Sequence, residues 1–173
     1  MVILGLGSNL GDRLLHLKKA VSALSKFISD IKTSHIYESD ALVPKEAPDS
    51  WDIKYLNMAL SGKTNLEPHD LLKKIKDVEN KLGRNENHEF WSPREIDIDI
   101  IDYEGVILGE DKLTIPHKHL LERAFFLLPI SDIESNWKFP IKESKSYGKT
   151  AKELLNNIEN DFNIKRTDFK IDD

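Results

Sequence analysis

Residues 90–101, FWSPREIDIDII, combine an apolar run with carboxylates at every second position, a pattern that suits a strand better than a helix. Because successive side chains of a strand point to opposite faces, the isoleucines share one face and Asp97 and Asp99 share the other. The Cα atoms of the two aspartates are then about 6.6 Å apart. Carboxylates this close repel each other and need compensation. Mg²⁺ prefers oxygen ligands and often bridges carboxylates to phosphate oxygens, so the pattern favours metal-assisted phosphoryl chemistry.

The ordinary alternative is a half-exposed strand whose aspartates face water, since a short motif is only a hypothesis. Trp91 and Arg94 lie just upstream and favour the functional interpretation. They add a flat apolar surface and a fixed planar hydrogen-bond donor. We therefore predict a metal site beside an aromatic pocket.

Length and composition limit the class of protein. The 173 residues suit one domain with a sizeable core, and 39% hydrophobic with 32% charged residues are typical of a globular protein. The net charge of −5 argues against broad nucleic-acid binding but allows a nucleotide, which needs only local cations. The sequence has no cysteine, no basic signal-peptide start and no apolar run of about 18 residues. We therefore expect a cytoplasmic protein that has no membrane span.

The hydrophobic periodicity predicts the order strand, helix, strand, strand, helix, strand. The four strands are predicted at 2–7, 31–37, 55–60 and 96–101, with helices starting at Asp12 and Pro68. This order is the β-α-β-β-α-β pattern of a ferredoxin-like fold in the α+β class, with a mainly antiparallel sheet and helices on one side. A hairpin at 106–115 and C-terminal helices at 120–128 and 150–158 are added to this core.

The chain divides into a domain at residues 1–160 and a charged, weakly periodic segment at 161–173, which we expect to be a tail or linker. Residues 40–54 contain two prolines and form a long loop, and residues 84–90 form a polar one. Long loops in compact domains are often functional, so both are candidate lids.

Two aromatic residues and two strand residues suit a flat heterocycle. Tyr55 and Asn57 share one strand face, and the Asn amide can both donate to and accept from a heterocyclic amide. Trp91 and Phe125 could hold a ring between them by offset stacking. Packing in the core is the ordinary alternative for both aromatics, above all for Phe125 within an apolar run.

Three basic residues suit phosphate oxygens. His117 follows a predicted strand and could donate to phosphate, and Arg123 could bind an oxygen pair. Arg84 lies on a polar loop after a helix. A surface histidine and solvated charges are the ordinary alternatives.

Five blocks in this order resemble one family: GSNLG at 7–11, YLN at 55–57, Glu79 with LGR at 82–84, WSPREIDID at 91–99, and IPH at 115–117 with RAF at 123–125. Together they resemble the 6-hydroxymethyl-7,8-dihydropterin pyrophosphokinases of folate biosynthesis over about residues 1–160. The block at 91–99 is highly specific, and the others support it.

The resemblance implies a ferredoxin-like fold with insertions, ATP as co-substrate and two Mg²⁺ ions. It implies transfer of the terminal diphosphate of ATP to the pterin hydroxymethyl group, with release of AMP. The substrates are then ATP and 6-hydroxymethyl-7,8-dihydropterin, with no nucleic acid or membrane as partner. Fusion to, or association with, a later folate-pathway enzyme stays open.

The resemblance also implies roles for the residues at matching positions. Asp97 and Asp99 hold the metals, and they form the catalytic set together with Arg84 and Arg94. The pterin pocket is formed by Ser39, Leu42, Tyr55, Asn57, Trp91 and Phe125. The ATP site is formed by Glu79, Arg84, Arg94, His117 and Arg123.

The sequence departs from the family pattern at several points. The loop at 83–90 has a single Arg, and Phe90 stands where some members carry a base. The loop at 40–54 is longer than in compact members, and Lys118 replaces an aromatic residue. Glu95 is expected on the same strand side as Asp97, with no assigned role.

Two other functions remain open from the residues alone. One is a non-catalytic ferredoxin-like module with an acidic patch for Mg²⁺ or Ca²⁺. The other is a nucleotidyltransferase, which also pairs carboxylates around a metal. The reaction products would distinguish all three.

Overall fold

The computed structural model describes residues 1–84 and 92–172. Its strands are β1 Val2–Ser8, β2 Ser29–Thr33, β3 Tyr37–Ser39, β4 Tyr55–Lys63, β5 Asp97–Tyr103, β6 Leu108–Gly109, β7 Thr114–Ile115 and β8 Lys165–Arg166. Its helices are α1 Arg13–Leu24, α2 Pro68–Lys81, α3 Ala124–Ile133 and α4 Ala151–Leu155, with short 3-10 helices at Asp49–Trp51 and Leu120–Glu122. The α+β class predicted from the sequence is confirmed.

Local sequence signals explain where the helices begin and end. Asp12 caps α1 by accepting a hydrogen bond of 3.0 Å from the backbone N–H of Leu15. Pro68 occupies the first turn of α2, where its missing N–H costs nothing. Gly83 follows α2 with φ of 107°, a conformation that a side chain would strain. Thr150 and Glu153 form a capping box at α4.

The main sheet has the order β5-β1-β4-β3-β8, with β4 at its centre. β1 is antiparallel to β4 on one side and to β5 on the other. β2 and β3 both pair with β4, and β8 continues the sheet beyond β3. β6 and β7 form the separate hairpin that was expected between 106 and 115.

The two faces of this sheet belong to different apolar clusters, because side chains alternate along each strand. Leu4, Met58 and Ile98 face α1 and α2. Ile3, Ala59 and Ile101 face the other way and pack with α3, α4 and the segment between them. The expectation of helices on one side was therefore wrong. The buried strands are apolar on both faces, so each face needs a cover.

Two elements differ from their predicted form. The single strand expected at 31–37 is divided into β2 and β3. At the break, the Ser34 hydroxyl accepts the hydrogen bond of the Ala59 N–H at 2.9 Å, so a side chain replaces a backbone ladder partner. The helix expected at 120–128 begins only at Ala124 and continues to Ile133.

The segment at 161–173, expected to be a tail or linker, contains β8. Its charged sequence is only weakly periodic, and the strand has only two residues. No helix within residues 1–84 and 92–172 combines the length and apolar character needed to cross a membrane.

Candidate active site

A cavity of about 400 Å³ lies on the face of the sheet that also packs against α3. From the residues predicted to bind a pterin, it is lined by Ser39, Leu42, Tyr55, Asn57 and Phe125. From those predicted to bind metal or phosphate, it is lined by Arg84, Arg94, Asp97, Asp99, His117 and Arg123. Residues from six separate parts of the chain thus meet at one place.

One predicted site residue does not line the cavity, and another is not described. Glu79 is fully buried beneath the cavity and is not part of its lining. Trp91 lies outside the described residues, as does the candidate lid at 84–90 beyond Arg84. Glu95 precedes β5, and its side chain lies beside Gly83. A Cβ built at Gly83 would lie 3.4 Å from the Glu95 Cγ.

The floor of the cavity is formed where β5 pairs with β1. Asp97 pairs with Gly7, and Asp99 pairs with Gly5. A Cβ at Gly7 would lie 3.2 Å from Asn57 Oδ1 and 3.3 Å from Tyr55 Cδ1. Glycine at position 7 therefore keeps the floor open between the carboxylates and the Asn57 amide.

Asp97 is held by two arginines. Arg84 Nη1 donates to Asp97 Oδ1 at 2.7 Å, and Arg94 Nη1 donates to Oδ2 at 3.3 Å. Burial alone would raise the pKa of Asp97, but Arg94 and Arg84 outweigh it and hold this pKa below its ordinary value. Asp97 is therefore ionised at neutral pH.

Asp99 has the opposite environment. Within residues 1–84 and 92–172, no group donates a hydrogen bond to its carboxylate or forms an ion pair with it. Burial and the neighbouring Asp97 raise its pKa to about 7. A cation between the two carboxylates would relieve this unfavourable charge, so the pair fits a divalent metal ion. No cluster of three or more acidic, His or Cys ligands occurs in the same described part of the chain.

Glu79 connects α2 to the carboxylate strand. Its carboxylate accepts hydrogen bonds from the Ile98 backbone N–H at 2.7 Å and from Lys76 Nζ at 2.8 Å. It also accepts one from Arg84. Since Arg84 bonds to both Glu79 and Asp97, the buried glutamate fixes the guanidinium beside the cavity carboxylate.

The wall suited to a heterocycle is polar on one side and aromatic on the other. Asn57 Nδ2 donates to Ser39 Oγ at 2.8 Å, which orients the amide with its oxygen toward Gly7. Phe125 meets Phe126 edge to face, with 5.1 Å between the ring centroids.

His117 and Arg123 lie on the basic side of the cavity. Burial and the charge of Arg123 lower the pKa of His117 to about 4, so its imidazole is neutral at physiological pH. His117 Nδ1 accepts from the His119 backbone N–H at 3.1 Å, which leaves the Nε2–H as the donor. The Arg123 guanidinium lies 5.6 Å from the Phe125 ring centroid.

The loop at 40–54 contributes to the cavity through Asp40 and Leu42. Its ends are joined by the Lys54–Asp40 ion pair at 3.3 Å. Arg13 also donates to the Lys54 carbonyl at 2.8 Å. The loop is thus tied at its base to β3 and α1.

Sequence reasoning missed several lining residues, among them Lys76, His119 and Phe126. Lys76 is one of several lysines on an amphipathic helix, and no local signal distinguishes it. Lys118, noted only as a departure from the family pattern, also lines the cavity. It adds a positive charge beside His117.

The family of 7,8-dihydro-6-hydroxymethylpterin-pyrophosphokinases (HPPK) matches residues 3–135. The 2-amino-4-hydroxy-6-hydroxymethyldihydropteridine pyrophosphokinase of Aquifex aeolicus is 41% identical over 153 residues, covering 83% of this chain and 89% of that protein. The folate synthesis bifunctional protein of Chlamydia trachomatis is 40% identical over 156 residues, covering 88% of this chain but 34% of that protein. This chain thus spans about a third of the bifunctional relative.

A solved structure of Plasmodium falciparum HPPK-DHPS with pterin and p-hydroxybenzoate shares the fold. Its TM-score is 0.65 at 18% identity, over 95% of this chain and 46% of that one. The match at residues 3–135 and the identity to a relative of similar length agree with the motifs and with the cavity they line. The chain therefore belongs to the 7,8-dihydro-6-hydroxymethylpterin-pyrophosphokinase family.

Proposed function

We propose that this chain transfers the terminal diphosphate of ATP to the hydroxymethyl group of 6-hydroxymethyl-7,8-dihydropterin, giving the pterin diphosphate and AMP. The observation that carries this proposal is that the carboxylates of β5 and the Asn57 amide open into the same cavity. A phosphate-bearing substrate and a heterocycle can then meet within one cavity.

The metal part of the proposal places two Mg²⁺ ions at Asp97 and Asp99. Mg²⁺ supplies charge neutralisation for the triphosphate and a lower pKa for the attacking hydroxyl. Asp99 supports this assignment because its carboxylate has no hydrogen-bonding partner in the described chain and a raised pKa. The other ligands would be phosphate oxygens and water.

The pterin part of the proposal uses the polar and aromatic wall. Asn57, oriented by Ser39, offers an amide to the heterocyclic amide edge, and Tyr55 borders the same floor. Leu42 and Phe125 supply apolar surface for the ring faces. Trp91, assigned by the family motif, would complete the stack.

The phosphate part of the proposal uses the basic residues around the carboxylates. Arg84 and Arg94 stabilise the charge that develops during transfer, with Glu79 holding Arg84 in place. Neutral His117 donates through its Nε2–H, and Arg123 can bind two phosphate oxygens. Little covalent chemistry falls to the protein, so positioning and charge stabilisation dominate.

We also propose a core topology, domain bounds, a cellular location and a pathway association for this chain. β1 between β4 and β5, with β2 and β3 on the far edge of β4, supports a ferredoxin-like core. The catalytic domain would comprise residues 1–160, with 161–173 as a tail or linker. A cytoplasmic location, and fusion to or association with a later folate enzyme, belong to the same proposal.

The nucleotide left after turnover tests the reaction. With ATP, Mg²⁺ and 6-hydroxymethyl-7,8-dihydropterin, we expect AMP in equal amount to the pterin consumed, measured by chromatography. ADP with a pterin monophosphate would indicate an ordinary kinase. Pyrophosphate release would indicate a nucleotidyltransferase, and no product would indicate a binding module. Each of these three outcomes contradicts the proposal.

A further inference from the structure

Residues 160–167 lie against the outside of the aromatic wall, although the family match ends at residue 135. Their strand β8 pairs with β3, which ends at Ser39. The backbone N–H and the hydroxyl of Thr167 both donate to the Ile36 carbonyl at 2.9 Å. The segment therefore adds to the edge of the sheet at the strand that leads into the cavity loop.

One residue of this segment contacts two parts of the cavity wall. The Phe162 carbonyl accepts from the Asp40 backbone N–H at 2.8 Å, and Asp40 lines the cavity. The Phe162 ring meets the Phe125 ring edge to face, with 5.2 Å between their centroids. Phe162 thus supports Phe125 from behind and holds the start of the 40–54 loop.

The backbone at this point is unusual and closely constrained. Phe162 and Asn163 have φ of 56° and 48°, a left-handed conformation that is rare for a bulky side chain. Their N–H groups donate to the side chains of Asn160 at 2.9 Å and Asp161 at 3.0 Å. Asn163 Nδ2 donates to the Asp40 carboxylate. Strain of this kind persists only where the surrounding contacts determine it.

We propose that Phe162 is a positioning residue for the pterin, acting through Phe125 and Asp40. It fixes the aromatic ring and the loop start, so that the wall is already formed when the heterocycle arrives. This inference rests on the proposed function, because it places the pterin against Phe125. The proposed role in substrate affinity belongs to a segment beyond residue 135, where the family match ends.

The test is a comparison of steady-state kinetics for Phe162→Ala, Phe162→Tyr and the control Phe169→Ala. Phe169 lies in the same region of the chain but is 46% exposed. For Phe162→Ala we expect the KM for the pterin to rise about threefold to tenfold, the range of one aromatic pair contact. The KM for ATP and the kcat at saturating pterin should stay within about twofold. Phe162→Tyr, which keeps the ring, should retain the parental KM, as should Phe169→Ala.

Separate effects on KM and kcat distinguish a positioning role of Phe162 from a loss of folded enzyme. A purely structural role would lower the active fraction and hence kcat, with the pterin KM unchanged, and this result would overturn the inference. A parental KM in Phe162→Ala would overturn it as well. If Phe162→Ala does not fold, Phe162→Leu gives the same comparison at a smaller loss of apolar volume. The proposed function fails separately, if the parent enzyme forms no AMP.

Discussion

The carboxylate of Glu79 accepts a hydrogen bond of 2.7 Å from the backbone N–H of Ile98, the residue between the two cavity carboxylates. The same buried side chain accepts from Lys76 and Arg84. A single carboxylate thus ties α2 and Arg84 to the strand that presents Asp97 and Asp99. The geometry of the candidate metal site therefore depends on a residue that does not line the cavity.

Glu79→Gln should lower both the stability of the protein and kcat. The amide removes the negative charge that compensates Lys76 and Arg84, at a cost of about 1–3 kcal/mol in the free energy of unfolding. Thermal unfolding and kcat measure the two effects. Glu110→Gln is the control, because Glu110 pairs with His69 at the exposed surface, 2.9 Å apart. Equal behaviour of the two variants would contradict the role of Glu79.

Asp97→Ala and Asp99→Ala should each reduce turnover to background with the fold intact. Both carboxylates face the cavity, and removal of either one removes a proposed metal ligand. AMP formation at millimolar Mg²⁺ is the measurement. Asp102→Asn is the control, because Asp102 lies on the same strand but accepts from Trp137 Nε1 at 2.8 Å instead. Near-normal turnover in either alanine variant would refute the metal assignment.

Asp99→Asn should stabilise the metal-free protein, and increasingly so as the pH rises from about 4 to about 7. Burial and Asp97 raise the pKa of Asp99 to about 7 in the folded protein. The folded state therefore binds this proton more tightly than the unfolded state, and stability falls as pH rises between the two pKa values. Tm of parent and variant in a chelator, at several pH values, tests this. A difference in Tm that does not change with pH would contradict the raised pKa.

Arg84→Ala should lower kcat by about a hundredfold with little change in the KM for the pterin. The guanidinium bonds to Glu79 and to Asp97, one of the carboxylates proposed to hold the metal ions and phosphates. Arg84→Lys should recover only part of the rate, because an ammonium cannot reproduce the planar donor geometry. A large rise in pterin KM at unchanged kcat would instead make Arg84 a ground-state binding residue.

Gly7→Ala should raise the KM for the pterin by about tenfold in a protein that still folds. The new methyl group would lie 3.2 Å from Asn57 Oδ1, so the amide must shift or the floor must narrow. Gly109→Ala is the control, since a Cβ there has no neighbour within 4 Å. An unchanged KM in Gly7→Ala would mean that the pterin does not rest on this floor.

Sequence periodicity was sufficient to predict the main strands and helices of the core. The alternation at 96–101 predicted a strand with Asp97 and Asp99 on one face, and β5 confirms that arrangement. Asp12 and Pro68 located the starts of α1 and α2, because capping depends on residues within one turn of each other. The family motifs named most residues that line the cavity.

Other features could not be predicted from local sequence patterns. Ser34 divides the predicted strand because its hydroxyl meets the Ala59 N–H, which lies 25 residues away. β8 exists because the edge of β3 is available to pair with it. Lys76 lines the cavity only because α2 packs beside β5.

By itself, the sequence determined the periodic strands and helices, their caps, the family and the identity of the chemical groups. Only the tertiary structure decided that Asp97 is paired with two arginines while Asp99 has no partner among the described residues, and that Phe162 supports Phe125. Local periodicity reports the backbone conformation and the apolar face of one element at a time. Charge environment, burial and ring contacts depend on residues far apart in the chain, and these come together only when the sheet and its two covering layers assemble.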